Sequence, residues 1–449
     1  MSYAKWETRE NMFQRVVQIN EKSIIEKGGI PIMYDDNNLY LNNDEAHSLI
    51  IGTTGSGKTQ ATILPLMKLS MLAGESIVVN DVNGDIYERT ANNFKENGYN
   101  IVVLNFDNPK YGDSWNPLDL PYKLYKEDEK DTALKIVEDI GYYLFTDIKD
   151  KSDPFWTNMV IDYFSGLVLY LFDKANKEQI NLKSVFALAL ELQNEEKAKN
   201  FLKEIGKNNS IYYNVSGTLE TAYDTRAGII ATFTQRSKIY NSRETLSNMM
   251  LKSNFDIINI SNEKTIVYII SGLSSYSNSL IPLFVNQVFE TNKIYTKNKK
   301  ILNVILDDFY NMLPIKDVAN LFNYSRSLYI RYTVVIRSFN DLLNVYGKEN
   351  TEMIKMCFGK IIYLLSNDIY TLEEVSRLCG NQEKDGNIVP LITVEELKYL
   401  DKFEAIFLMP RIMPFRTKLI PDYQIKWPFK ETSAELELRK ENNLDIFNY

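Results

Sequence analysis

The stretch HSLIIGTTGSGKT, residues 47–59, constrains this chain more than any other. A short apolar run enters a loop with glycine at Gly52, Gly55 and Gly57, followed at once by Lys58 and Thr59. The loop satisfies G-x-x-x-x-G-K-[ST] at every defined position. Glycines let the backbone turn tightly and point its N–H groups at phosphate oxygens. The lysine brings positive charge to the β- and γ-phosphates, and the threonine hydroxyl can ligate Mg²⁺. A helix predicted from Lys58 to about Ala73 aims the positive end of its dipole at the same anion. Gly52, Thr53, Thr54, Gly55, Ser56, Gly57, Lys58 and Thr59 are therefore the expected ATP-binding residues, with Thr59 also a metal ligand.

A loop of this kind needs a carboxylate partner, and ILNVILDDFYNM (301–312) supplies one. Its apolar residues lead a strand into Asp307 and Asp308. Asp307 is expected to hold the Mg²⁺ shell, and Asp308 to orient or deprotonate the attacking water. At the end of another predicted strand lies DVNGDIYE, 81–88. It sits at the edge where such sheets face phosphate. It reads equally as a turn at Asn83-Gly84 with Asp85 as a helix N-cap.

Apolar periodicity orders the rest. SIVVN (76–80), a helix over 85–97 and NIVVLNF (100–106) continue a strand–helix alternation, the mark of a parallel α/β sheet. After Trp115-Asn116-Pro117-Leu118 the spacing becomes helical from about 123 to 227, with helices predicted at Leu124–Phe145, Phe155–Phe172, Leu182–Leu192 and Ala198–Ile205. Strand runs then return at 265–270, 301–306, 333–336, 360–365 and 404–409. The fold class is thus α/β with a mainly parallel sheet, interrupted by an all-α insertion domain. Residues 1–46 form an N-terminal segment with short strands, the hairpin-like GGIPIMYDDNNLYLNN among them. Residues 47–122 and 228–430 make the nucleotide-binding domain, 123–227 the insertion, and 431–449 a polar, solvated tail.

Composition narrows the function. The chain of 449 residues suggests two or three domains. A net charge of −8 leaves no overall basic field, so any nucleic-acid contact needs a local basic surface. Two cysteines outside any CxxC pair and a single histidine argue against a zinc site and a disulfide scaffold. The opening residues lack an apolar signal core, and no uninterrupted run reaches the roughly 20 apolar residues of a membrane span.

Taken in order, HSLIIGTTGSGKT, DVNGDIYE, SWNPLD, DPFW, ILDDF, SRSLYIRYTVVIRSFNDL and YG resemble the type IV coupling proteins. These are TraG/TraD-like ATPases of conjugative transfer, related to FtsK and HerA. The resemblance implies a RecA-like nucleotide-binding domain carrying an all-α domain, ATP and Mg²⁺ as ligands, and a homo-oligomeric ring of six. It implies as partners DNA or a relaxase–DNA complex, type IV secretion channel proteins and a membrane partner subunit. The location it implies is cytoplasmic, peripheral at the inner face of the membrane through that partner. Arg326 matches a family arginine that serves catalysis from a neighbouring subunit; a solvated arginine is the plainer reading. The chain departs from the family pattern at Asp81-Val82-Asn83-Gly84-Asp85, usually D-P-K-G-E. It departs again at Asp308, usually Glu, and at Arg337, usually Gln. The expected function is ATP-driven movement of DNA or nucleoprotein toward a secretion channel. An ATP-binding docking protein that does not pump, or a HerA/FtsK-like motor outside secretion, are the alternatives.

Overall fold

Five apolar, β-branched runs are buried along their whole length, which only a strand covered on both faces achieves. The computed structural model describes residues 3–35, 37–147, 153–272, 276–297 and 300–449. Three short strands come first: β1 (Val17–Ile19), β2 (Ile30–Asp35) and β3 (Asn38–Asn42), paired antiparallel in the order β1-β3-β2. Asp36, in the turn of the expected hairpin, lies outside the described residues.

The main sheet follows. Its strands are β4 (Ser48–Gly52), β5 (Ser76–Asp81), β6 (Asn100–Asn105), β7 (Thr265–Ile270), β8 (Leu302–Leu306), β9 (Ile330–Ile336) and β10 (Lys360–Leu365). A hairpin of β11 (Asn381–Lys384) and β12 (Asn387–Pro390) stands apart, and β13 (Glu404–Leu408) and β14 (Phe415–Lys418) return to the sheet. The order is β14-β13-β10-β4-β9-β8-β5-β7-β6. From β10 to β7 every neighbour is parallel, while β13 and β14 add antiparallel at one edge. The C-terminal ends of β4, β9, β8 and β5 therefore share one rim.

Each expected strand is present. The run 333–336 is the end of a longer strand, and β1, the β11–β12 hairpin and β14 were not foreseen. The hairpin β11–β12 turns on Asp385 and Gly386, both left-handed, a D-G signal visible in the sequence. β14, FRTK, carries no apolar alternation and forms because β13 offers it an open edge.

The chain divides into two compact units. The first comprises Met1–Ile101, Ile258–Ile270 and Asn292–Glu435. The second comprises Val102–Ile257, Ser271–Thr291 and Leu436–Tyr449. The helical unit is therefore wider than the expected 123–227, and SWNPLD explains why. The Asn116 carboxamide donates to the carbonyls of Ile180 (2.6 Å) and Leu251 (3.3 Å), and its oxygen accepts from the Leu118 amide. Trp115 is buried against Phe284. These residues are the base of the helical unit, not a linker ahead of it. The expected helix 124–145 is two helices, Asp119–Lys126 and Lys130–Phe145, parted at Asp128, whose φ is 67°.

DPFW opens the central helix, Pro154–Lys174: Asp153 caps the Phe155 amide at 2.9 Å, and Pro154 sits where no N–H is required. That helix has the length and composition to cross a membrane, but most of its apolar side chains are core, with Phe164 against Phe145. The C-terminal tail is largely exposed, as expected, yet it is tethered. In the first unit Asn92, Asn93 and Glu88 hold residues 430–433. In the second unit Arg439 bonds Asn248 (2.7 Å), and Phe447 and Tyr449 pack on Tyr170.

Candidate nucleotide-binding site

The site lies within the first unit. β4 delivers Gly52 to the rim, and the loop leaves it under two constraints: the Thr53 amide bonds the Leu365 carbonyl (3.0 Å) and the Ser56 amide bonds the Thr53 carbonyl (3.1 Å). Gly55 and Gly57 have φ of 83° and 92°, a left-handed backbone that side chains resist. Gly57 is also packed: a Cβ there would come within 2.6 Å of the Phe403 ring. Thr54 and Gly55 form the exposed crest, while Ser56 is buried.

The helix after the loop starts as a π turn over Thr59–Ile63 and becomes α-helical at Leu64–Leu72. Pro65 has no N–H to donate, and the Leu64 amide reaches back to the Thr59 carbonyl.

Asp307 and Asp308 follow β8 on the same rim. Asn80, at the end of neighbouring β5, donates to the Asp307 carbonyl at 2.8 Å. Burial pushes the Asp307 carboxyl up to about 6, the Lys58 ammonium opposes that shift, and Asp308 reinforces it. Lys58 and Asp308 thus both act on the Asp307 carboxyl. Asp308 adopts φ of 50°, a conformation that Asp and Asn tolerate best among residues with a side chain.

Four buried polar atoms near the loop, Ser56 Oγ, Gln60 Oε1, Asn80 Oδ1 and Tyr310 Oη, have no hydrogen-bond partner within the protein. Buried polar groups are rarely left so. All four belong to segments on the phosphate rim: Ser56 and Gln60 to the loop and the helix after it, Asn80 to the end of β5, and Tyr310 to the turn after β8.

DVNGDIYE follows β5 on the phosphate rim, and the expected N-cap at Asp85 is corrected. Asp81, not Asp85, caps the helix Asp85–Glu96: its carboxylate accepts from the amides of Gly84 (3.0 Å) and Tyr87 (2.7 Å). Burial raises the Asp81 carboxyl to about 6.

The three arginines around β9 separate. Arg331 is buried and structural, bonded to Glu75 (3.0 Å), Asn303 and the Gly28 carbonyl. Arg326 precedes β9 and is exposed at the end of the strand remote from the loop. Arg337 ends β9 on the phosphate rim, with its guanidinium 4.4 Å from the centre of the Tyr310 ring. Sequence reading noted Arg337 as a departure but did not place it in the site; its position just beyond an apolar strand was the available signal. The single histidine, His47, is structural: Nδ1 accepts from the Tyr332 amide (3.0 Å), so Nε2 carries the proton and donates to the Phe322 carbonyl (2.7 Å).

Fold and site together define a P-loop NTPase with a mainly parallel sheet and a helical unit. The family described as Type IV secretory system Conjugative DNA transfer matches residues 1–384, and the chain belongs to it. Its place is therefore in conjugative DNA transfer through type IV secretion. Among solved structures it resembles the bacterial conjugative coupling protein TrwBdeltaN70, with a TM-score of 0.67 at 14% identity over 97% of this chain and 96% of that one. TrwB in complex with a non-hydrolysable ATP analogue gives 0.70 at 14% identity, covering 94% of both chains. VirB4 of Thermoanaerobacter pseudethanolicus gives 0.54 at 10% identity, covering 88% and 96%. No curated protein matches the sequence.

Proposed function

We propose that this coupling protein is an ATPase that moves DNA or a relaxase–DNA complex toward a type IV secretion channel. Its ligands are ATP and Mg²⁺. The observation that carries the reading is the action of Lys58, at the end of the phosphate loop, on the buried Asp307 carboxyl at the end of β8. Thr59 and Asp307 would hold Mg²⁺, which neutralises charge on the phosphates. The loop amides and Lys58 bind the phosphates, and Asp308 orients the attacking water. TrwB structures have been solved with ADP and Mg²⁺ and with a non-hydrolysable ATP analogue. A ring of subunits, six by family resemblance, is supported by Arg326, which lies too far from its own site to serve it. Contact with the membrane runs through a partner subunit at the cytoplasmic face.

The test is ATP turnover with and without single- and double-stranded DNA. DNA is expected to stimulate the wild type. Lys58→Ala is expected to lower turnover on the order of 100-fold or more, the scale on which one preorganised charge acts. Equal turnover in the two proteins would overturn the assignment, and turnover indifferent to DNA would favour a docking role over pumping.

A further inference from the structure

Phe403 leans on the phosphate loop from a turn far along the chain. The two left-handed glycines of the loop differ in their surroundings. A Cβ added at Gly55 would meet nothing within 4 Å, whereas at Gly57 it would fall 2.6 and 2.7 Å from two carbons of the Phe403 ring. Gly57 precedes Lys58, where the loop runs into its helix. The ring therefore lies against the backbone at the point that sets the direction of the Lys58 amide.

Phe403 holds that place in a strained conformation. Its φ is 68°, and a bulky side chain rarely adopts the left-handed region. Such strain persists only where the surroundings over-determine it, and it concentrates at ligand sites. Here the Glu404 amide donates to the Asp401 carbonyl (2.9 Å), and the Asp401 amide to the Glu404 carboxylate (3.1 Å). Arg416 bonds that carboxylate at 2.7 Å, and the Leu419 amide donates to the Phe403 carbonyl (2.8 Å). The turn opens β13, which pairs with β10, and β10 pairs with β4. From β10 the Leu365 carbonyl receives the Thr53 amide. The loop is thus supported twice from the β10 side, at Thr53 by a hydrogen bond and at Gly57 by a ring. The aspartates stand beyond its other side, after β8.

Resting on the ATPase reading above, we infer that Phe403 is a positioning residue for phosphate binding: its ring holds Gly57 in the left-handed turn that aims the loop amides at the phosphates. The crest at Thr54 and Gly55 is exposed, so the loop needs support from its flanks. A loop that must order itself on binding loses affinity to conformational entropy, and one fixed beforehand does not. The strain at Phe403 is what the fold gives up to keep the loop ready. Because the ring acts on the loop and not on one phosphate, it serves ADP and ATP alike.

Three substitutions separate the ring from the strain. Phe403→Ala deletes the ring and leaves a side chain in the left-handed region. Phe403→Gly deletes the ring and relieves the strain. Phe403→Tyr keeps the ring. Fluorescent-nucleotide competition on the full chain, with ADP and a non-hydrolysable ATP analogue and Mg²⁺, reads binding; chemical denaturation reads stability. Phe403→Ala and Phe403→Gly are expected to weaken both nucleotides by about 10-fold, the affinity equivalent of fixing one backbone residue, and Phe403→Tyr to stay within about twofold of wild type. Phe403→Gly should be more stable than Phe403→Ala and bind no better. Without nucleotide, the Gly57 and Lys58 amides should exchange hydrogen faster in both ringless proteins than in wild type. Affinity that recovers with stability in Phe403→Gly would mark a purely structural role and overturn the inference. So would unchanged affinity in Phe403→Ala, or unchanged exchange at the two amides. Failure of wild type to bind either nucleotide would instead overturn the ATPase reading, and the exchange rates would still decide whether the ring holds the loop.

Discussion

Arg326 and Arg337 stand at opposite ends of one strand, β9, which spans Ile330–Ile336. Seven residues of strand at about 3.3 Å each separate them by roughly 20 Å. Arg337 acts on Asp307 at the phosphate rim, while the charge of Arg326 is felt by Glu45 and His47 at the other. One strand thus has an exposed arginine beyond each of its two ends.

If Arg326 serves a neighbour, complementation should reveal it. Arg326→Ala has an intact site and no finger; Lys58→Ala has a finger and no functional site. Each alone should be nearly inactive, with a loss on the order of 1,000-fold for the missing arginine. Mixed in the presence of DNA, they should recover measurable turnover. No recovery over the two separate proteins, under conditions where mass photometry shows mixed assemblies, would place Arg326 outside the reaction.

Asp308 tests how the backbone has adapted to its acid. Its left-handed conformation suits Asp and Asn, so Asp308→Asn keeps the turn and removes only the charge. ATP binding should survive while hydrolysis is lost. Asp308→Glu adds a methylene at a strained position, and a displacement of about 1 Å can cost on the order of 100-fold in rate. Turnover should fall, not rise. Steady-state kinetics and nucleotide titration on both variants decide; undiminished turnover in Asp308→Asn would remove it from catalysis.

The buried pair Arg331–Glu75 joins β9 to the start of β5 and to Gly28 ahead of β2. Arg331 bonds Glu75 (3.0 Å), Asn303 (2.9 Å) and the Gly28 carbonyl (2.9 Å); Glu75 in turn accepts from the Gly28 amide (2.9 Å). Removing one member leaves the other buried and unpaired. Arg331→Ala or Glu75→Ala should each destabilise by about 3–5 kcal/mol, and the double substitution by less than their sum. Chemical denaturation measures both, and strict additivity would show that the two charges do not depend on each other.

His47 should resist protonation. Burial holds its imidazole down at about 4, against an unfolded value near 6.5. A base with a depressed folded pKa contributes stability that is lost as pH falls from about 6.5 toward 4, here roughly 3 kcal/mol in all. The chain has one histidine, so a single imidazole resonance reports it. That resonance should stay at the neutral Nε2–H position at pH 5; a midpoint near 6.5 in the folded protein would contradict the buried geometry.

What could be read directly from the residues was local. Gly52–Thr59 carries its own turn chemistry, and the runs ending in Asp81 and Asp307 carry their own strand pattern, because a strand buried on both faces must be apolar throughout. The family order of short motifs carried the rest of the function. Tertiary structure decided what depends on distant pieces meeting. Residues 28, 75, 303 and 331 form one network only because β5, β8 and β9 are neighbours, and that order is not written in any one of them. The same holds for Arg337, whose neighbours come from β4 and β8, and for Arg326, which looks equivalent in sequence and lies at the other rim. It holds too for β14 and the tail, whose polar residues have no periodic signal and are held by edges and side chains supplied elsewhere. Period and turn chemistry act over a few residues; strand order brings together groups hundreds of residues apart, and only there is it settled which charges are paired and which stand ready for a ligand.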